Sequence, residues 1–125
     1  MTFQNNLYTI VSDTLIPEGR KKVYRIRLIP ESIIFKAHFP GEPIMPGACI
    51  VQMVQELATD WIGSEVEIAK VSNLKFLNVI SPDAILELNV ALEVKKEEAS
   101  QIHLKADLSE SGVDYTKMSL ILNII

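Results

Sequence analysis

The chain has 125 residues, 48% hydrophobic and 22% charged, with a formal net charge of −4. This is ordinary globular composition, enough for one domain over residues 1–125 with a sizeable core, and it argues against disorder. No apolar run reaches the roughly 18 residues of a membrane span, and no basic stripe favours nucleic acid.

Residues 7–16, LYTIVSDTLI, are rich in β-formers and end at the turn Pro17-Glu18-Gly19. KVYRIRLI follows, with Tyr24, Ile26 and Leu28 on one face and Arg25 and Arg27 on the other. The two runs predict a hairpin whose inner face meets the core. Pro30 stops the second strand, and the stretch to Lys36 reads as a turn or a short helical piece. A stiff loop, HFPGEPIMPG, then leads into a helix predicted from about Pro46 to Trp61. Ile50, Val51, Val54, Leu57, Ala58 and Trp61 recur at helical spacing, and Met53 widens the apolar surface beyond half the circumference. Such a helix is wrapped by other structure. Pro46 suits its first turn and Gly63 its C-terminal stop.

Everything after Gly63 reads as strand. EIAKVSNLKFLNVI runs to the break at Ser81-Pro82-Asp83, and AILELNVALEV alternates with Leu86, Leu88, Val90, Leu92 and Val94 inward. Residues 95–100 read as a charged turn, then come QIHLKADL, a turn at Ser111-Gly112, and VDYTKMSLILNII. The sum is an α+β fold: about six strands in a curved antiparallel sheet wrapped round one long central apolar helix.

The N-terminal stretch MTFQNNLYTIVSD has neither the basic start nor the apolar run of a secretory signal. Cys49 is the single cysteine, so a reducing, cytoplasmic setting is expected. Cys49, His38 and His103 lack metal-ligand spacing, and His103 falls on the polar face of an alternating strand, so neither a metal nor a cofactor is expected. His38 differs, because Pro40 and Gly41 fix the backbone beside it. Nearby, Met45-Pro46-Gly47-Ala48 offers free N–H groups at a helix start, where an oxyanion can be stabilised. A base beside such donors is the arrangement that removes a proton α to a carbonyl. On the helix, Cys49, Gln52 and Glu56 form a narrow polar stripe, with Gln52 and Glu56 one turn apart. It reads either as the lining of a cleft shared with His38 or as a hydrogen-bonded stripe at an interface.

HFPGEPIMPG followed by an apolar helix resembles the signature of the β-hydroxyacyl-acyl carrier protein dehydratases, whose fold is the hotdog fold. The family's loop is His-Phe-Pro-Gly-x-Pro-(Ile/Val)-x-Pro-Gly, and every fixed position from His38 to Gly47 matches. Asn73-Leu74-Lys75-Phe76 with Ser81-Pro82-Asp83 is similar to the family's strand and turn after the helix. The resemblance implies that His38 takes the α-proton and the Gly47 N–H binds the thioester carbonyl, with Phe39, Pro46 and Ala48 as substrate contacts. It also implies a dimer, since the family's acid reaches the site from the partner subunit. That acid's position holds Gln52, and an acid, Glu56, stands one helical turn later. An amide cannot donate and recover a proton as a carboxyl does, so either Glu56 takes that role or it is simply a satisfied polar group.

The expected activity is therefore dehydration of 3-hydroxyacyl thioesters on acyl carrier protein to trans-2-enoyl thioesters. The alternative is a weak or inactive carrier-binding subunit of a heteromeric dehydratase. A hotdog thioesterase is disfavoured, because residues 47–51, Gly-Ala-Cys-Ile-Val, carry no carboxylate. The chain starts almost at its first strand, without the leading helix typical of the fatty-acid synthesis enzyme, which suggests a specialised relative. Expected partners are the acyl carrier protein and a second copy or related chain. Arg20, Lys21, Lys22, Arg25 and Arg27 form the densest basic cluster that could meet an acidic carrier, unless they simply make a solvated hairpin face.

Overall fold

Alternation of period two builds most of this molecule, and one helical segment crosses it. The computed structural model describes residues 2–37 and 41–125. In chain order it contains β1 (Tyr8–Ile16), β2 (Lys21–Leu28), α1 (Ile33–Ala37), α2 (Gly47–Ile62), β3 (Val66–Phe76), β4 (Glu87–Glu98), β5 (Gln101–Glu110) and β6 (Val113–Ile124). The six strands form one sheet in the order β1-β2-β4-β5-β6-β3, with every neighbouring pair antiparallel. The chain leaves β2 near one edge, runs through α2, and reappears as β3 at the opposite edge.

The core lies between α2 and one face of the sheet. Tyr24, Ile26 and Leu28 of β2 and Leu88, Val90 and Leu92 of β4 are buried there. Ile102, Leu104, Ala106 and Leu108 of β5 join Met118, Leu120 and Leu122 of β6. Against them α2 buries Ile50, Met53, Val54, Leu57 and Ala58. Fully burying a side chain such as Leu57 stabilises the fold by about 1.5–3 kcal/mol.

The ends of α2 follow from two residues without ordinary backbone freedom. Pro46, at φ −62° and ψ 146°, is extended and sits just outside the helix, not in its first turn, so its missing N–H removes no helical bond. Gly63 takes the left-handed conformation at φ 78°, and its N–H donates to the Thr59 carbonyl at 2.9 Å.

Three further expectations need correction. Residues 95–100 are not a turn: β4 runs on to Glu98, pairing Glu97 with Ile102 and Glu98 with Gln101, and the chain reverses at Ala99, whose φ is 49°. The ladder shifts between Val94 and Lys96, so the alternation slips where both faces meet solvent. Leu86 precedes β4 and is exposed rather than inward. Finally, β3 stops at Phe76 short of Ile80, after register shifts at Ile68/Lys70 and Ser72/Lys75, the second of which spans a left-handed Asn73.

Candidate active site

The first turn of a helix leaves N–H groups without intrahelical acceptors. In α2 the Cys49 and Ile50 amides both reach the Pro46 carbonyl, at 3.0 and 3.1 Å, so among the described residues Gly47 and Ala48 carry the two first-turn amides left without an acceptor at its positive end. The Met45 N–H donates to the Ile80 carbonyl at 2.8 Å, fixing the approach to this turn against the segment after β3. Gly47 lies under the ring of Phe76. A Cβ at Gly47 would stand 2.7 Å from Phe76 Cζ and 3.0 Å from Cε2, closer than packed atoms approach. Beside the two residues opens a cavity of about 470 Å³, lined mainly by the apolar side chains of Ile44, Met45, Ile50, Leu77, Val79 and Ile80.

A second, polar half lies on the other side of α2. Glu56 takes two donors on each oxygen: Gln4 N–H at 2.8 Å and the Tyr8 hydroxyl at 3.0 Å on Oε1, Phe3 N–H at 2.8 Å and Gln52 Nε2 at 3.0 Å on Oε2. One turn on, the Tyr24 hydroxyl donates to Asp60 Oδ2 at 2.7 Å. Both phenols are held far above their ordinary value, first by burial and then by the carboxylate each one faces. Burial likewise pushes the Cys49 thiol up. Gln52, Gln55, Glu56, Thr59 and Asp60 line an open cavity of about 580 Å³, with Thr2 and Gln4 on its N-terminal wall.

The predicted residues thus fall into two groups. Gln52 and Glu56 are joined by a direct hydrogen bond, while Pro46, Gly47 and Ala48 form the helix start. At about 100° and 1.5 Å per residue, Gln52 lies roughly 140° around α2 from Gly47 and about 7.5 Å along it. The groups therefore face different sides of one helix. His38 and Phe39 lie outside the described residues.

Sequence reasoning missed Phe76 as a site residue: it ends an irregular edge strand, and its ring meets Gly47 only through tertiary packing. It also missed the N-terminal amides and Tyr8 as partners of Glu56, for the same reason. The basic hairpin is largely neutralised within the chain: Arg20 pairs with Glu97, Lys22 with Asp13, Arg25 with Glu87 and Glu110, and Arg27 with Glu87. This favours the solvated-face reading of that cluster. Among the described residues no helix is long and apolar enough to cross a membrane.

The residue pattern of the ApeI-like family, described as ApeI dehydratase, matches residues 16–114. The chain is 24% identical over 95 residues to the 3-hydroxyacyl-[acyl-carrier-protein] dehydratase FabZ of Lactobacillus helveticus, covering 70% of this chain and 64% of that protein. It thus spans somewhat under two thirds of that relative's length. Among solved structures, the dehydratase heterocomplex ApeI:P from Xenorhabdus doucetiae superposes with a TM-score of 0.67 at 16% identity, over 91% of this chain and 96% of that one. A hypothetical thioesterase protein with coenzyme A from Streptococcus pneumoniae gives 0.66 at 10% identity, over 94% and 85%. Identities that low speak for the fold alone, and the fold is the hotdog fold, as expected. The family match covers most of the sequence, from the last residue of β1 into β6, and includes the loop and the whole of α2, so the chain belongs to the ApeI-like dehydratase family.

Proposed function

We propose that this protein dehydrates 3-hydroxyacyl thioesters on acyl carrier protein to trans-2-enoyl thioesters, reversibly. The observation that carries this reading is the start of α2, where the Gly47 and Ala48 amides adjoin a mainly apolar cavity. The thioester carbonyl accepts from Gly47 N–H while the acyl chain lies among Ile44, Ile50, Val79 and Ile80. Pro46, Phe39 and Ala48 border the same substrate. His38 takes the α-proton, the electron pair moves onto the thioester oxygen as an enolate, and its return forms the double bond as the β C–O bond breaks. The hydroxyl leaves as water with one added proton. Gln52 can hold that hydroxyl by a hydrogen bond but cannot supply the proton. Delivery by Glu56 requires one of its four donors to be given up.

The test is hydration of enoyl-acyl carrier protein, followed by loss of enoyl absorbance. Wild type should turn over, and His38→Ala should abolish the signal. Gln52→Glu should raise the rate, on the scale of about 10²–10⁴-fold that acid–base assistance typically contributes. No turnover by any of these proteins at any chain length would refute the reading.

A second reading has its own observation: position 52 carries an amide, and both oxygens of Glu56 are engaged, by the N-terminal segment, Tyr8 and Gln52. On this reading the chain is a weak or inactive subunit of a cytoplasmic heteromer, and a related chain brings the acid. The dehydratase heterocomplex among the fold neighbours is consistent with it. Mixing with an acid-bearing relative should then create activity absent from this protein alone. Hydrolysis is disfavoured by the first turn of α2, which offers no carboxylate.

A further inference from the structure

We infer that Phe76 is the specificity-determining residue of this site, admitting acyl groups unbranched at the carbon next to the thioester and excluding branched ones. The inference rests on the proposed function in taking Gly47 as the carbonyl-binding position.

Phe76 is the last residue of β3, paired with Thr116 of β6, and its ring is seated on Gly47. The contact is tight on that side, at 2.7 Å from where a Cβ would stand, yet 52% of the residue remains exposed. Its surroundings are anchored by backbone bonds. Leu77 and Asn78 N–H both donate to the Tyr115 carbonyl, at 2.8 and 3.2 Å, and Met45 N–H holds Ile80. The ring is therefore seated on Gly47 in a frame held by backbone bonds, and both residues line the same apolar cavity. A carbonyl on Gly47 N–H brings its neighbouring carbon against that ring. A straight chain passes along the ring face into the cavity. A methyl branch on that carbon projects into the ring.

The inference is tested with paired thioesters of pantetheine, straight-chain and 2-methyl-branched 3-hydroxyacyl, on wild type, Phe76→Leu and Phe76→Ala. Phe76→Ala should raise the branched-to-straight ratio of kcat/KM by about tenfold or more, the scale set by a single methyl in a tight pocket. The change should fall mainly on KM for the branched substrate, with Phe76→Leu between. Equal losses for both substrates would mean that Phe76 only supports the fold, and would overturn the inference. The same pair as unreactive amides, in which NH replaces the thioester sulfur, is titrated by calorimetry. Their affinity ratio should shift likewise even if no variant turns over, so failure of the reaction and failure of the inference are read separately. Gly47→Ala supplies the steric control: its loss of thermal stability should be largely recovered in Gly47→Ala/Phe76→Ala. An identical loss in both backgrounds would show that the ring does not sit on Gly47, and would also overturn the inference.

Discussion

Glu56 acts as a fourfold acceptor, tying α2 to β1 and to the turn before it. Its substitution should therefore be felt in stability even where chemistry is silent. In Glu56→Gln one acceptor oxygen becomes a donor, so a donor on that side, such as the Phe3 or Gln4 N–H, loses its partner. Leaving a partly buried donor unsatisfied costs about 1–3 kcal/mol, readable as a lower urea midpoint and faster amide exchange at Phe3 and Gln4. An unchanged midpoint and exchange rate would mean that the N-terminal turn does not depend on Glu56. The two buried phenols set a second expectation. Tyr8 and Tyr24 are both held above the ordinary value of 10.0, so above that pH the unfolded chain releases protons that the folded chain retains. The unfolded state then binds fewer protons, and stability falls as pH rises. Below pH 10 this contribution is fully present. Alkaline titration should show tyrosinate absorbance from these residues rising together with loss of near-ultraviolet dichroism, and Tyr24→Phe should move that transition to higher pH. A tyrosinate signal that develops fully while the fold persists would contradict the assignment.

At the scale of elements, α2 is held by its ends as well as by its buried face. Gly63 adopts φ 78° with nothing within 4 Å of a built Cβ, so a side chain there meets backbone strain and no steric clash. Gly63→Ala should cost about 1–2 kcal/mol, and Gly63→Asn clearly less, in thermal or urea unfolding. Equal effects would point to something other than the left-handed cap. The same elements show what a sequence can disclose. Strict alternation in β5 and in the centre of β4 marks a half-buried strand, and Leu88, Val90, Leu92, Leu104 and Leu108 are buried as their spacing requires. The end of β4 was illegible because Lys95, Lys96, Glu97 and Glu98 have no buried face to alternate against, so the hairpin extension resembles a charged turn. In the site, the helix start was legible because proline, glycine and helix polarity act locally. Phe76 over Gly47, and Phe3 with Gln4 on Glu56, are contacts between segments far apart in the chain, which no local pattern encodes.

Across the whole molecule, the two halves of the site lie on different sides of α2, and a strand edge lies beside one of them. β3 is an edge strand, and Leu74, Phe76, Leu77 and Val79 along and beyond it are exposed, Val79 at 66%. An unpaired edge flanked by exposed apolar residues invites pairing with another chain. A substrate held at Gly47 is also turned away from Gln52 of its own helix, by roughly 140° at helical spacing. On the function proposed above, both facts favour a reaction centre assembled from two chains, one giving His38 and Gly47 and the other the residue at position 52. This has a sharp consequence. The double variant His38→Ala/Gln52→Glu has no base, and wild type has no acid at that position, so each alone should be slow. Co-expressed with different tags and purified through both, the mixed dimer contains one centre that joins wild-type His38 to the carboxylate introduced in its partner. Its enoyl-hydration rate should exceed the mean of the two parents by more than an order of magnitude, given the roughly 10²–10⁴-fold typical of acid–base assistance. If the centre were complete within one chain, no mixed species could unite the two groups, and the doubly tagged protein would run at the parental mean or below it.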